Sequence, residues 1–332
     1  MTVSIKDIAK RAGVSPSTVS RALHNHPRLS AETTGAIQAL AQEMGYVPSA
    51  VARSLVSSRS MTIGVAVNDF LNPFYVDLIA NIEDAVTDED YHVFVSSFHQ
   101  NREREWSLMV AFLERRLAGI IVVGSLISRD YLTWPNRASM PIVLISCPTY
   151  PFSVSVDHFT GVRLAMEHLI ELGHRRIAYV TQGYQTETQS QRLRGYRAML
   201  AEHDLPTDPS LIVTGDGDIT GGIKAVPQLL ALPQPPTAIL CYNDMTAIGV
   251  INRLQHEGYN IPGDFSVVGF DDLGLAACYS PALTTIRQPT PQLGQTAMDI
   301  LNHLVAGQEE ITPQILEPEL IVRQSTAPPN NE

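Results

Sequence analysis

Along the first forty-five residues, apolar and polar positions alternate at a helical period. Ile5, Ile8, Ala9 and Ala12 fall at i, i+3, i+4 and i+7, a single apolar stripe that Gly13 stops. Ser4 followed by Asp7 has the spacing of a capping box at its start. Ser15 is then an N-cap with Pro16 at the first helical position, and Val14 and Val19 stand at the two ends of a hydrophobic staple. A second helix is expected after this tight turn, with Val19, Ala22 and Leu23 inward and Ser17, Ser20, Arg21 and His24 on the outer face. A third runs from Ser30 through Ile37, Leu40, Ala41 and Met44 to Gly45. Three short helices around one apolar centre, the second with a polar and basic outer face, have the pattern of a helix-turn-helix. The second helix of such a module fits the DNA major groove.

From Met61 the pattern changes to buried strands alternating with amphipathic helices. Strands are expected at 62–67, 93–97, 119–123 and 141–146, with helices at 74–88, 102–115 and 128–137. A second series follows, with strands at 176–180, 211–214, 237–241 and 266–269 and helices at 160–172, 191–202, 221–230 and 244–257. Such alternation means parallel sheets covered on both faces, and two series mean two lobes. Open parallel sheets bind ligands beyond the carboxyl ends of their strands. Those positions hold Asn68 and Asp69, Asp157, Thr188 and Arg192, Asp216, Asn243 and Asp244, and Asp271 and Asp272. Each has a structural alternative. Asp244 suits a helix N-cap, Asp271 or Asp272 a strand end, and Arg192 a surface ion pair.

Charge supports the division. Residues 1–60 carry seven basic side chains against three acidic, a balance of +4; the rest carry 16 against 31, a balance of −15. The N-terminal segment is therefore the part suited to phosphate, while the acidic remainder is repelled by it. Cys147, Cys241 and Cys278 share no C-x-x-C spacing, so buried reduced thiols are expected rather than disulfides or a zinc site. His168 and His174 read as helix and turn residues, and no metal site or cofactor is expected. GDGDITGG at 215–222 lacks dinucleotide-binding spacing, there is no P-loop, and no Ser/His/Asp order or paired-carboxylate motif points to an enzyme. No apolar run is long enough to span a bilayer or serve as a signal peptide, so the expected location is the cytoplasm, with no membrane partner.

SIKDIAKRAGVSPSTVSRAL, GYVPSAVARSL, TIGVAVNDFLNPFY, LGHRRIAYV, RLRGYRAML, NDMTAIGV, SVVGFDD and PALTTIRQP resemble successive signatures of the LacI/GalR family of bacterial transcription regulators. The likeness covers nearly the whole chain. It implies a two-lobed α/β core of the periplasmic-binding-protein type behind an all-α helix-turn-helix domain. By resemblance, Pro16, Ser17 and Arg21 occupy base-reading positions, and Ser4, Thr18, Ser20 and Asn25 hold phosphates. Arginine suits bidentate contact with guanine, so Arg21 is the expected principal reader. Pro16 has no backbone donor, and Thr34 and Gly35 replace a more basic stretch, so weaker phosphate binding is expected.

The resemblance also assigns the segment after the third helix. Eight residues, 48–55, are too few for a stable isolated helix. In the family this hinge forms a helix when paired with its twin in the minor groove, with Ala52 and Leu55 at the DNA and the leucine wedged between base steps. The implied boundaries are a DNA-binding domain at 1–47, a hinge and linker at 48–60, and a core at 61–327. Lobe 1 comprises about 61–158 and 290–318, lobe 2 about 159–289 and 319–327, and 328–332 form a disordered tail. Asn72, Phe74, Asp157, Thr188, Arg192, Asn243 and Asp271 match effector-contacting positions. Carboxylates, an arginine and an amide around an aromatic wall suit a sugar. Thr186 stands where the purine-responsive branch has an arginine, so a carbohydrate effector is expected over a purine. A homodimer on a near-palindromic operator is expected, because both helix-turn-helix readout and hinge pairing need a second copy.

Overall fold

In the computed structural model, residues 3–23, 25–46, 60–86, 91–134 and 140–330 are described. Two compact units, residues 1–60 and 61–332, make up the chain.

The smaller unit has helices α1 (Ile5–Ala12), α2 (Pro16–Leu23) and α3 (Ala31–Glu43). Asp7 accepts from the backbone N–H and the hydroxyl of Ser4, 2.9 and 2.6 Å, which fixes the start of α1. Gly13 closes it in the left-handed region at φ 67°, where glycine meets no Cβ penalty. Ser15 Oγ accepts from Thr18 N at 3.1 Å to begin α2, and Ser30 Oγ accepts from Thr33 N at 3.2 Å to begin α3. Ile8, Ala9, Val19, Ala22, Ile37 and Ala41 form the core, with Val14 and Leu23 packed at its margin.

The larger unit has two sheets. In lobe 1 the strands are β1 (Thr62–Val67), β2 (His92–Ser97), β3 (Gly119–Val123), β4 (Ile142–Ile145), β5 (Ser153–Val156) and β11 (Gln314–Leu316), in the order β11-β5-β4-β3-β1-β2 and all parallel. In lobe 2 they are β6 (Ile177–Thr181), β7 (Ile212–Thr214), β8 (Ala238–Cys241), β9 (Ser266–Asp271), β10 (Thr284–Arg287) and β12 (Glu319–Ile321). Their order is β12-β10-β9-β8-β6-β7, parallel except for β10 with β12. The helices are α4 (Pro73–Val86), α5 (Arg102–Glu114), α6 (His158–Glu171), α7 (Glu187–Glu202), α8 (Ile219–Leu230), α9 (Asp244–His256), α10 (Gly274–Cys278) and α11 (Thr290–Val305). β1, β3, β4, β6, β8 and β9 are buried along nearly their whole length, as sheets covered on both faces require. The chain passes between the lobes three times, after β5, after β10 and between β11 and β12.

Three expectations are corrected. Where a helix is expected over 128–137, the described residues hold only a 3-10 turn, Asp130–Thr133, with Trp134, the residue before a proline, outside helical geometry; 135–137 lie outside the described residues. In the tail expected to be disordered from 328, Asn330 Nδ2 donates to Gly263 O at 2.8 Å, while 331–332 lie outside the described residues. Cys278, expected to be buried, is exposed at the end of the short α10, while Cys147 and Cys241 are buried. No helix among the described residues is long and apolar enough to cross a membrane.

Candidate functional site

On the helical unit, Ser4, Pro16, Ser17, Arg21 and Asn25 are exposed and Thr18 and Ser20 half-buried. Among the described residues the Arg21 guanidinium has no hydrogen-bond or ion-pair partner, whereas Arg11 is tied to Glu43 at 3.1 Å. Asn25 ends α2 at φ 53°, and Gln38 of α3 donates both to its Oδ1, 2.9 Å, and to Ala22 O, 3.1 Å. That brace aligns α2 with α3 and leaves the Asn25 amide N–H groups outward. Ser4 is less available than expected, since both its donors are given to Asp7, and those bonds hold the Asp7 carboxyl below its usual value. The Thr18 hydroxyl is shared with Ser15 at 2.9 Å. Ala52 and Leu55 lie outside the described residues.

In the larger unit, strand ends of both lobes line one cleft of about 1030 Å³, open solvent included. Asn72, Phe74, Thr188, Arg192, Asn243 and Asp271 all face it. Asp157 does not. Its carboxylate caps α6, accepting from Thr160 N at 3.0 Å and Thr160 Oγ1 at 2.8 Å, and the neighbouring His158 takes the lining position. Asn243, rather than Asp244, caps α9 by accepting from Thr246 N at 2.9 Å, while its Nδ2 holds Gly217 O at 2.8 Å. Asp244 is buried beneath the site, accepting from Thr285 Oγ1 at 2.5 Å and Leu273 N at 2.8 Å; burial pushes it up to about 6. Asp272 turns away to Arg287 and Arg323 at 2.7 and 2.5 Å.

Arg192 is the centre of the floor. Although it is only 3% exposed, it has several partners: it donates to Tyr242 O, approaches His158 Nδ1 at 3.4 Å and lies 3.8 Å from Asp271 Oδ1. Its guanidinium carbon lies 3.6 Å from the centre of the Phe270 ring and 4.5 Å from that of Tyr242, so the cation is held between two aromatic faces. Arg192 is thus a buried floor residue, and the surface ion pair read as its alternative is excluded. Asp271 adopts φ 124°, a conformation costly for a residue with a Cβ, as the strand turns sharply at the cleft. Gln288 Nε2 holds its Oδ1 at 2.7 Å. Burial outweighs the pull of Arg192 and pushes Asp271 up to about 8. Burial first, and then Arg192, holds His158 well below the ordinary histidine range, so it is neutral. Among the described residues, Arg192 Nε, His158 Nε2 and Gln288 Oε1 are buried without a partner. Unsatisfied polar atoms inside a cleft are the groups a polar ligand satisfies.

Among the lining residues that escaped the sequence reading are Tyr75, Tyr184, Tyr242, His158 and Gln288. The strand-end rule was sufficient to find Tyr184 and Tyr242, which follow β6 and β8. Gln288 follows β10, a four-residue strand with no distinct pattern. Arg192 is the single cation of the lining among the described residues, against Asp69, Glu187, Asp216, Asp218 and Asp271. Nor do the described residues contain a cluster of three or more histidine, cysteine or carboxylate side chains fit for a metal ion.

Residues 4–49 match the family model for bacterial regulatory proteins of the lacI family, and residues 166–326 match the periplasmic binding protein-like domain. Catabolite control protein A of Priestia megaterium is 34% identical over 305 residues, 91% of this chain and 92% of the relative. The HTH-type transcriptional repressor CytR of Escherichia coli K12 is 33% identical over 331 residues, 97% and 96% of the two chains. Among solved structures, the lac repressor dimer bound to operator and the anti-inducer ONPF superposes with a TM-score of 0.89 at 30% identity, covering 98% of this chain and all of the other. Helical unit, twin-lobed core and full-length likeness agree: the chain belongs to the lacI family of bacterial regulatory proteins, and is a DNA-binding transcriptional regulator that responds to an effector rather than an enzyme.

Proposed function

We propose that the chain is a cytoplasmic repressor that binds a near-palindromic operator as a homodimer and is controlled by a carbohydrate held between the core lobes. Arg21 reads a base, with Ser17 beside it; Asn25, Thr18, Ser20 and Ser4 hold the backbone, and Ala52 and Leu55 in the 48–60 hinge enter the minor groove. Operator and dimer are what the similar lac repressor structure is described with. Effector binding shifts lobe closure and with it the spacing of the two hinges.

The observation that carries the effector class is the floor of the cleft. Arg192, Asp271, Asn243, Gln288 and His158 supply donors and acceptors close together, three of their atoms lack partners, and Phe74, Tyr75, Tyr184 and Tyr242 offer apolar ring faces. That combination fits a ring carrying hydroxyls on its edge. Five carboxylates against a single arginine disfavour phosphate esters, and Thr186, where a purine-responsive regulator has an arginine, is here an N-cap that accepts from Gln189 N at 3.1 Å. The aromatic faces support a second reading, a stacked purine base. Titrating a panel of mono- and disaccharides and of purine bases against operator-bound full-length protein separates the two. A carbohydrate that changes operator affinity, an effect lost in Arg192→Ala, supports the first reading; a response to purines alone establishes the second.

A further inference from the structure

Two side-chain hydrogen bonds cross the cleft. Asn68, at the end of β1, donates from Nδ2 to the Tyr184 hydroxyl in the loop after β6, 3.2 Å. Thr149, in the loop between β4 and β5, donates from Oγ1 to Glu187 Oε2 in the first turn of α7, 3.0 Å. Asn68 is set in place for this: it is 2% exposed, its Oδ1 accepts from Gln100 N at 3.0 Å, and its backbone carbonyl accepts from Ser97 Oγ at 3.3 Å. With Oδ1 occupied, only Nδ2 remains to reach across. An apolar contact joins the lobes as well. Leu273 of lobe 2 is 2% exposed and belongs to the lobe 1 core, and Met245 packs on the same core. Buried Asp244 grips the Leu273 N–H, so this residue is anchored in its own lobe while seated in the other.

We propose that Asn68–Tyr184 and Thr149–Glu187 form an interlobe latch, working with the Leu273 seat, that sets the open–closed balance of the cleft before any effector arrives. A ligand that favours the closed form binds with an apparent affinity scaled by the closed fraction. Tyr184 and Glu187 therefore tune the response by holding the lobes together. Each bond changes the open-to-closed ratio a few-fold, and the pair about tenfold.

The test uses full-length protein without ligand. Spin labels are placed at Arg104→Cys on α5 and Lys224→Cys on α8, both exposed, in a Cys278→Ser background, and labelled chains are diluted with unlabelled ones. Cys147 and Cys241 are buried and do not react. Pulsed electron resonance should give one main interlobe distance in the parent, and an added longer population in Tyr184→Phe with Thr149→Val. Backbone amide exchange at 68–72 and 184–188 should rise with it and remain unchanged elsewhere. A superimposable distance distribution overturns the latch; so does a rise in exchange throughout the core, which would make the two bonds general stabilisers. Since no ligand is added, either result is independent of the effector class.

Discussion

The two lobes share a strand order, with β2, β1, β3, β4, β5 and β11 answering β7, β6, β8, β9, β10 and β12, yet their cleft walls differ in chemistry. Lobe 2 supplies the buried Arg192 and Asp271 with Asn243 and Gln288; Gln288 donates to Asp271, and Asn243 donates to Gly217 O. Lobe 1 supplies ring faces and small polar groups: Phe74, Tyr75, Asn68 and Ser125. The shared architecture thus places strand ends at the cleft, and the residues at those ends differ: lobe 2 presents the arginine and four of the five carboxylates beside Tyr184 and Tyr242, lobe 1 mainly ring faces and small polar groups.

That contrast breaks most readily at Arg192. In Arg192→Ala the effector response should fall by about 100-fold or more while operator binding is retained, measured by titrating effector against operator-bound protein. Loss of one partner of a buried pair costs about 3–5 kcal/mol, and Asp271, pushed up to about 8, lessens this because it is already largely protonated at neutral pH. Unchanged effector sensitivity would move the recognition chemistry out of lobe 2.

Asp271 gives the next effect, through pH. Its folded value, about 8, lies above the unfolded aspartate value near 3.9. Its contribution to stability is therefore full below about pH 4 and is lost as pH rises through about 8. Urea unfolding at pH 5 and pH 8 should show the parent weakening across this window relative to Asp271→Asn. Parallel slopes for the two proteins would mean that Asp271 is ionised in the fold.

The smallest effect is expected in lobe 1. Phe74→Leu retains apolar bulk but removes the aromatic face, and should weaken effector binding by about 0.5–1.5 kcal/mol by calorimetry. A loss as large as that of Arg192→Ala would erase the distinction between the lobes.

Local signals were legible in the sequence and distant ones were not. Ser4 with Asp7, Gly13, and Ser15 with Pro16 are read within a few residues, and each forms the cap or stop its chemistry dictates. The cleft was legible as far as strand ends were: Arg192 and Asn243 come after β6 and β8, and Asp271 ends β9. Asp157 and His158 are neighbours, and which of them faces the cleft depends on the Thr160 cap. Gln288 follows β10, whose place in the sheet rests on pairing with β9 and β12, which no local period encodes. β5, β10, β11 and β12 also escaped detection: SVSV, TTIR, QIL and ELI lack the continuous apolar run that marks the equally short β4, IVLI, and β8, AILC.

The central claim, that a helix-turn-helix carries sequence-specific operator recognition, is tested most directly by selecting from random duplex DNA with the full-length protein, beside its Arg21→Ala variant. The parent should enrich a near-palindromic site whose binding falls steeply with salt, and the variant should lose about 1–3 kcal/mol and relax its preference at one base in each half-site. Sequence-independent binding by the parent, unaffected by the loss of Arg21, would contradict the account.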